Sequence, residues 1–415
     1  TDSFLPAAGQ GILAVEAKKG RFTEVLKSIH CEEAALELEA ERSFLAAIGG
    51  SCNAPAAGLC VPAVQSLKMK VLYAPEGTTE LRKAEAIVDL TEAGSQEEKL
   101  SKARMLGENL ASEVKRGKVW LLGAGPGDMG LLTRKALWCI RHADVLVYDN
   151  LASGAILNEA REDAELIYAG KRADKHHLRQ WETNALLVEK ALEGKNVARV
   201  KGGDPFIFGR GGEEAQELLK AGVEFEIIPG VSSSYAAPAY AGIPVTHRDF
   251  ASSFHVITGH ESADKTGLAL DYATLAIEEG TLVFLMGLKN LPHIAEELIT
   301  HGKDPKTPAA VVQAGTTARQ QVVTGVLESI AETAKTAGIQ TPAITVVGDV
   351  VTLQRQLSWL GGKPLFGKRV LLTGTKPMCE KQREVLAADG AEAIPFSLIY
   401  TKKLSTPATE QAFAE

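Results

Sequence analysis

One pattern recurs along most of this chain and limits its architecture: a short apolar run, a glycine-rich turn, then a segment with helical spacing. From Lys118 onward it reads KVWLLGAGPGD, ADVLVYDNL, NVARVKGGDP, FEIIPGVSS, FHVITGH, TLVFLMG, PAAVVQAGT and PAITVVGDV. Apolar runs of this length bounded by glycine read as strands. Strands alternating with helices build βαβ units, mostly parallel sheets, and ligand sites at the carboxyl ends of the strands. The stretch 118–360 is therefore expected to be α/β and to hold the chemistry. The flanks have other textures. Residues 1–117 are rich in Ala and Glu, with a helical pattern in CEEAALELEAERSFLAAIG, a strand-like LKMKVLYA and a charged amphipathic stretch from Glu97 to Lys115, which predicts a small α+β domain. After GGKP, the segments KRVLLTG and EKQREVLAADGAEAIPF read as strand, helix, glycine stop and strand. Residues 361–415 thus begin a further α/β domain, too short to close a core by itself. The chain opens at Thr1 inside a structured-looking segment and is expected to be a piece of something longer.

Composition removes several functions. A net charge of −7 argues against a general electrostatic grip on nucleic acid, so an anionic ligand must be met by a local basic cluster. The five cysteines are odd in number and contain no CxxC pair. They fit a reducing cytoplasm better than a disulfide framework or a zinc site. His176 and His177 are adjacent and converge poorly on one ion, with no third ligand at a suitable spacing, so no metal is expected. No apolar run approaches the ~20 residues needed to cross a bilayer, and no signal segment opens the chain.

Two glycine loops carry the functional signal. LLGAGPGD follows a strand and precedes a helical segment, the place of a dinucleotide fingerprint, yet the third glycine would fall at Asp128 and Pro126 offers no N–H. Without a GK[ST] ending a phosphate loop is also excluded. The second loop, KGGDPFIFGRGG, lets main chain approach a ligand closely and sets Asp204 beside a stiffening proline. Backbone groups at two strand ends, with apolar cover from residues such as Ile207 and Met286, suit a phosphate-poor nucleoside such as S-adenosylmethionine better than NAD or ATP. On spacing alone Met286 reads as a core gap-filler.

GAGPGD, VYDNL, YAGKRADKH, VKGGDPFIFGRGGEE, IPGVSSSYAAPAYAGIPVTHRD, FLMG and QAGTTARQQVVTG stand in order and spacing across 118–360. Together they resemble the uroporphyrinogen-III C-methyltransferases of the tetrapyrrole methylase family. The flanks are similar to neighbours in that chemistry. LPAAGQGILAVE and AERSFLAAIGGSCNAPAAG resemble the carboxyl-terminal part of hydroxymethylbilane synthase, and LFGKRVLLTGTKPMCEKQREVLAADGAEAIPF the start of uroporphyrinogen-III synthase.

The resemblance implies a two-lobed fold, 118–238 and 239–360, with S-adenosylmethionine between the lobes. It implies methylation of uroporphyrinogen III at C2 and then C7 to give precorrin-2, for sirohaem or cobalamin, in a cytoplasmic and homodimeric enzyme. Pro126, the backbone of Gly202, Gly203 and Asp204, and Ile207, Ser232, Ser233, Met286 and Gly315 would hold the cofactor. Asp149 would be the general base and Lys171 the proton donor or cationic partner. Read from the residues alone, Asp149 is a cap after a strand and Lys171 a solvated cation. Arg172, Arg210, His247 and Arg248, together with His176, form the local basic set expected to meet the carboxylates of the substrate. Asp174 departs from the family pattern, which carries glycine there. Cys52 maps to the position that carries a dipyrromethane cofactor, and equally reads as a small thiol; the catalytic residues of that enzyme would lie in domains the chain lacks. Two rival readings are a tetrapyrrole-binding or channelling module without turnover, and a methylase of the same fold acting on RNA, for which 6% aromatic content and negative charge are unfavourable.

Overall fold

The computed structural model describes residues 4–49, 54–74, 81–150, 154–170, 179–259 and 270–399. Its contacts divide the chain into two compact units. One comprises Thr1–Val119, Leu186–Asn196 and Ala221–Glu224; the other comprises Trp120–Ala185, Val197–Lys220 and Phe225–Glu415. Cys52 lies outside the described residues, as do Lys171, Arg172, Asp174, His176 and His177. Among the described residues no helix is long and apolar enough to cross a membrane.

The first unit is α+β, as its texture predicts. β1 (Ala56–Ala63), β2 (Ser66–Tyr73) and β3 (Arg82–Asp89) form an antiparallel three-stranded sheet. Alternation along β2 buries Leu67, Met69 and Val71 on one face. That face shares a core with Phe44 of the helix Glu32–Ile48 and Leu110 of the helix Gln96–Lys115. The two helices cross at Gly107, where an added Cβ would lie 2.1 Å from the Ala40 carbonyl oxygen and 2.8 Å from the Phe44 nitrogen. Glycine costs a helix interior ~1 kcal/mol relative to alanine; the backbone approach is what retains it. A buried Glu41 ties the outer segments, accepting N–H groups from Gly9 at 2.6 Å and Cys60 at 2.7 Å. Burial raises its carboxyl above the usual range against the pull of those two bonds, and burial pushes the neighbouring Cys60 thiol up to about 12.

In the second unit the α/β pattern appears as two five-stranded sheets and a two-stranded one. The first sheet uses β4 (Val119–Gly123), β5 (Val145–Tyr148), β6 (Glu165–Tyr168), β7 (Val197–Lys201) and β8 (Phe225–Ile228), ordered β6-β5-β7-β4-β8, with β5 parallel to both β6 and β7. The second sheet uses β9 (Phe254–Thr258), β10 (Thr281–Leu285), β11 (Pro308–Gln313), β12 (Gln321–Val326) and β13 (Ala343–Val347), ordered β12-β11-β13-β10-β9. Among the described residues only β9 and β10 pair in parallel there; β13 runs against both its neighbours and β12 returns against β11. The expected predominance of parallel pairing therefore fails in this sheet: the short connection 314–320 reverses the chain between β11 and β12, and β13 inserts antiparallel between β10 and β11. β9, β10 and β11 still point the same way, so their carboxyl ends share one edge.

The helix Ser233–Ala241 packs Ala237 and Ala241 into the core of the second sheet beside Val283, Ala310 and Ile344. It belongs by packing with that lobe although it begins before residue 239. Its last carbonyls are met by side chains: Gln320 donates to Tyr240, Gln354 to Ala241 and Trp359 to Ala239, which satisfies groups a helix end leaves open. Finally, β14 (Arg369–Thr375), the helix Lys376–Ala388 and β15 (Glu392–Ile399) form a βαβ unit with a parallel pair. Its buried cluster is small, centred on Leu372, Cys379 and Ala393.

Gly107→Ala is expected to lower the unfolding free energy by ~1–3 kcal/mol despite its gain in helix propensity, because the clash is with backbone. Urea denaturation followed by helical circular dichroism reads it; a stabilised variant would show that the helices separate freely.

Candidate functional site

The site is assembled where strand ends give up their side chains. A Cβ on Gly123, the last residue of β4, would stand 2.4 Å from the Gly203 oxygen and 2.6 Å from the Gly230 Cα, and one on Gly230 would stand 2.2 Å from the same oxygen. The chain leaving β4 thus touches the chains leaving β7 and β8 through main chain alone. Gly125 and Gly203, at φ +72° and +66°, exchange backbone hydrogen bonds of 3.2 and 2.8 Å and take a left-handed conformation that glycine adopts without strain.

Asp204 holds this junction closed. Its Oδ1 accepts the Phe206 N–H at 2.7 Å and its Oδ2 the Gly230 N–H at 3.0 Å. The Asp204 side chain is thus spent on tying the loop after β7 to the loop after β8. Just beyond, Ser232 is buried as the cap of the helix Ser233–Ala241, accepting the Ser234 N–H at 3.2 Å, while Ser233 is half-buried.

The second lobe closes onto the Pro126 loop. Asp128 donates its N–H to Thr316 Oγ1 at 3.1 Å and accepts the Tyr240 hydroxyl at 2.7 Å. Burial and that carboxylate push the Tyr240 hydroxyl well above its ordinary range. A Cβ on Gly127 would lie 2.6 Å from Thr317 Cγ2, and one on Gly315 would lie 2.3 Å from Ala237 Cβ. Ala314 (φ 45°) and Thr316 (φ 71°) after β11, and Met286 (φ 57°) after β10, are all left-handed without being glycine. Phe208 and Arg210, after β7, share that strain. Such residues cost energy and collect at binding and catalytic sites. Met286 is 53% exposed, which removes its reading as a core gap-filler.

A buried charge cluster lies behind the first sheet's strand ends. Arg199 and Lys201 sit on one face of β7, both within a strand buried at every position. Glu214, fully buried on the helix Gly211–Lys220, accepts Arg199 Nε at 3.1 Å, Lys201 Nζ at 2.9 Å and Gln180 Nε2 at 3.2 Å on a single oxygen. Arg199 also faces Asp149, 3.5 Å from its Oδ2, at the end of β5. Burial, then the Arg199 charge, lower the Lys201 ammonium below its usual range. Sequence reasoning passed over this cluster, although basic residues two apart in an apolar strand share a face and need a buried partner.

The other expected contacts scatter. Ile207 is 39% exposed between exposed Phe206 and Phe208; Phe208 lines an apolar cavity of about 310 Å³ with Val256, Ile257 and Thr258 of β9. Arg210 is paired with Glu213 at 2.6 Å on the surface. His247 accepts the Asp249 N–H at 3.2 Å inside a loop closed by the His247–Ala251 bridge. Arg248 lines a polar cavity of about 500 Å³ with Ser253 and Gly280, at the amino-terminal ends of β9 and β10 and so opposite Met286.

Comparison with known proteins places this arrangement. The signature of the Tetrapyrrole (Corrin/Porphyrin) Methylases matches residues 118–331, just over half the chain. The chain belongs to the tetrapyrrole methylase family. This tetrapyrrole methylase is 48% identical over 275 residues to the uroporphyrinogen-III C-methyltransferase of Bacillus subtilis (strain 168), with 65% of this chain aligned and 57% of that protein's length spanned. It is 54% identical over 237 residues to the S-adenosyl-L-methionine-dependent uroporphyrinogen III methyltransferase of Methanosarcina barkeri, covering 57% of this chain and 93% of that one. Among solved structures, a cobalt precorrin-4 methyltransferase of cobalamin biosynthesis matches at 28% identity with a TM-score of 0.51, covering 56% of this chain and 95% of that one. The methylase signature does not reach residues 1–117 or 361–415.

Asp204→Asn sets an amide NH2 against one of two N–H donors. It is expected to cost ~1–3 kcal/mol of stability, whereas Glu213→Gln, breaking an exposed pair, should cost ~1 kcal/mol or less. Equal urea midpoints for the two variants would contradict the role given to Asp204.

Proposed function

We propose that the chain catalyses S-adenosylmethionine-dependent C-methylation of uroporphyrinogen III, at C2 and C7, to give precorrin-2. The observation that carries this reading is the bare main chain at Gly123, Gly203 and Gly230 together with the strained second-lobe loop Ala314–Thr316, which meets the Pro126 loop through Gly127 and Asp128. Polar backbone groups held at fixed strand ends suit a zwitterionic nucleoside that offers no phosphate. The names of the Bacillus and Methanosarcina relatives support the same donor and acceptor.

The residues fit such a donor. Pro126 and the backbone of Gly202, Gly203 and Asp204 would line one side; Ser232, Ser233, Gly315 and Met286 would line the other, with Ile207 as apolar cover. When bound, S-adenosylmethionine supplies a methyl group already activated by a sulfonium. The protein's part is then positioning, which is worth up to ~7–11 kcal/mol of a barrier when two reactants are held at attack distance. A pyrrole carbon attacks best as its N–H proton is lost. Asp149, at the end of β5 and steadied by Arg199, would accept that proton, with Lys171 as the cationic partner. Arg172, Arg210 and His247 would meet carboxylates of the macrocycle, Arg210 by exchanging its exposed partner Glu213 for a substrate carboxylate. Arg248, next to His247 in the loop that the His247–Ala251 bridge closes, would be a further cation for those carboxylates. Cys52 and a dipyrromethane enter no step.

The test is transfer of a labelled methyl from S-adenosylmethionine to uroporphyrinogen III, with product mass read for one or two additions. Bound donor without incorporation would favour a channelling module, and incorporation into RNA would favour the other rival. Asp149→Ala and Lys171→Ala should lower kcat by ~10²–10⁴-fold with little change in donor affinity. Met286→Ala should weaken donor binding first. Full activity in all three would overturn the role assignments.

A further inference from the structure

Arg199 does not reach the surface as an ordinary strand cation would; its side chain is 6% exposed, and that of Glu214 is 0% exposed. The guanidinium is held on its inner side by Glu214 Oε1 at 3.1 Å and by the carbonyls of Val147 at 3.4 Å and Val200 at 3.2 Å. Val147 is on β5, two residues before Asp149, so Arg199 grips the strand and faces the carboxylate at its end. A rigid planar fork fixed by three acceptors has no rotamer freedom left. Charge points the same way. Arg199 and Lys201 together bring two cations against the one carboxylate of Glu214. Burying an unbalanced charge is costly, and Asp149 is the fourth member that balances the set. Glu214 Oε2 is buried without a hydrogen-bond partner among the described residues.

We propose that Arg199, clamped by Glu214, is a positioning residue for methyl transfer, fixing the orientation of the Asp149 carboxylate at the end of β5. The proposal rests on the reading of Asp149 as the group that accepts the proton. Neither Arg199 nor Glu214 need touch donor or acceptor; both act through Asp149.

The test compares Arg199→Lys, Glu214→Gln, Asp149→Asn and the double variant Arg199→Lys/Asp149→Asn. The readouts are kcat and KM for uroporphyrinogen III with labelled S-adenosylmethionine, S-adenosylhomocysteine affinity by calorimetry, and the melting curve. Misplacing a catalytic group without removing it costs on the order of 10²-fold. Arg199→Lys and Glu214→Gln should lose about that much in kcat while S-adenosylhomocysteine affinity stays unchanged. The double variant should be no slower than Asp149→Asn alone, since residues that act as one unit are not additive. Wild-type kcat in folded Arg199→Lys, or losses that multiply in the double variant, would overturn the proposal. Should Glu214→Gln fail to fold, Arg199→Lys, which keeps the charge, still decides it. Asp149→Asn at full rate would instead remove the reading beneath the proposal, and wild-type protein inert toward uroporphyrinogen III would remove the reaction itself.

Discussion

Three backbones packed together at the ends of β4, β7 and β8 set the terms for everything around them. With Cβ positions on Gly123 and Gly230 lying 2.2–2.4 Å from one carbonyl oxygen, no side chain can intervene, and the loops that follow must leave the sheet in fixed directions. Asp204 then locks two of those loops by accepting an N–H from each. The loops beyond them are held through peptide groups, which cannot change rotamer. Rigidity here comes from the absence of side chains more than from their packing.

In the second lobe the strand ends carry strain. Met286, Ala314 and Thr316 are held left-handed at one edge of the second sheet, and Asp128 reaches across to Thr316 and Tyr240. That edge exists only because β9, β10 and β11 run the same way while β13 and β12 run against them. A mixed sheet thereby delivers what the parallel sheet of the first lobe delivers, a row of loops at carboxyl ends. Behind the first sheet the charges do the reverse of what a surface would allow: Arg199, Lys201 and Glu214 are removed from water and paired, with Asp149 at the partly exposed end of the set.

Much of this was legible in the sequence where local chemistry determined it. The helices Glu32–Ile48 and Gln96–Lys115 follow from apolar spacing, and the strands that flank the glycine loops follow from apolar runs that end in glycine. β6 and β12 did not stand out, being short or partly exposed strands whose residues carry no unbroken apolar run. The direction of β13 was hidden because strand direction is set by connections and pairing, which periodicity does not encode. At the site, the loops at Pro126 and Gly203 were visible through their glycines, but the task of Asp204 was not, since its second partner Gly230 stands 26 residues away. Glu214 was missed for the same reason, although Arg199 and Lys201, alternating in an apolar strand, were asking for it.

Glycine-lined strand ends from two lobes are proposed to grip the methyl donor. A crystal structure of the protein soaked with S-adenosylhomocysteine tests it most directly. Density lying against the loops at Gly203 and at Ala314–Thr316, with Met286 beside the sulfur-bearing arm, is the expected result. Density lodged in the cavity beside Arg248, or none at the strand ends at saturating ligand, would contradict the account.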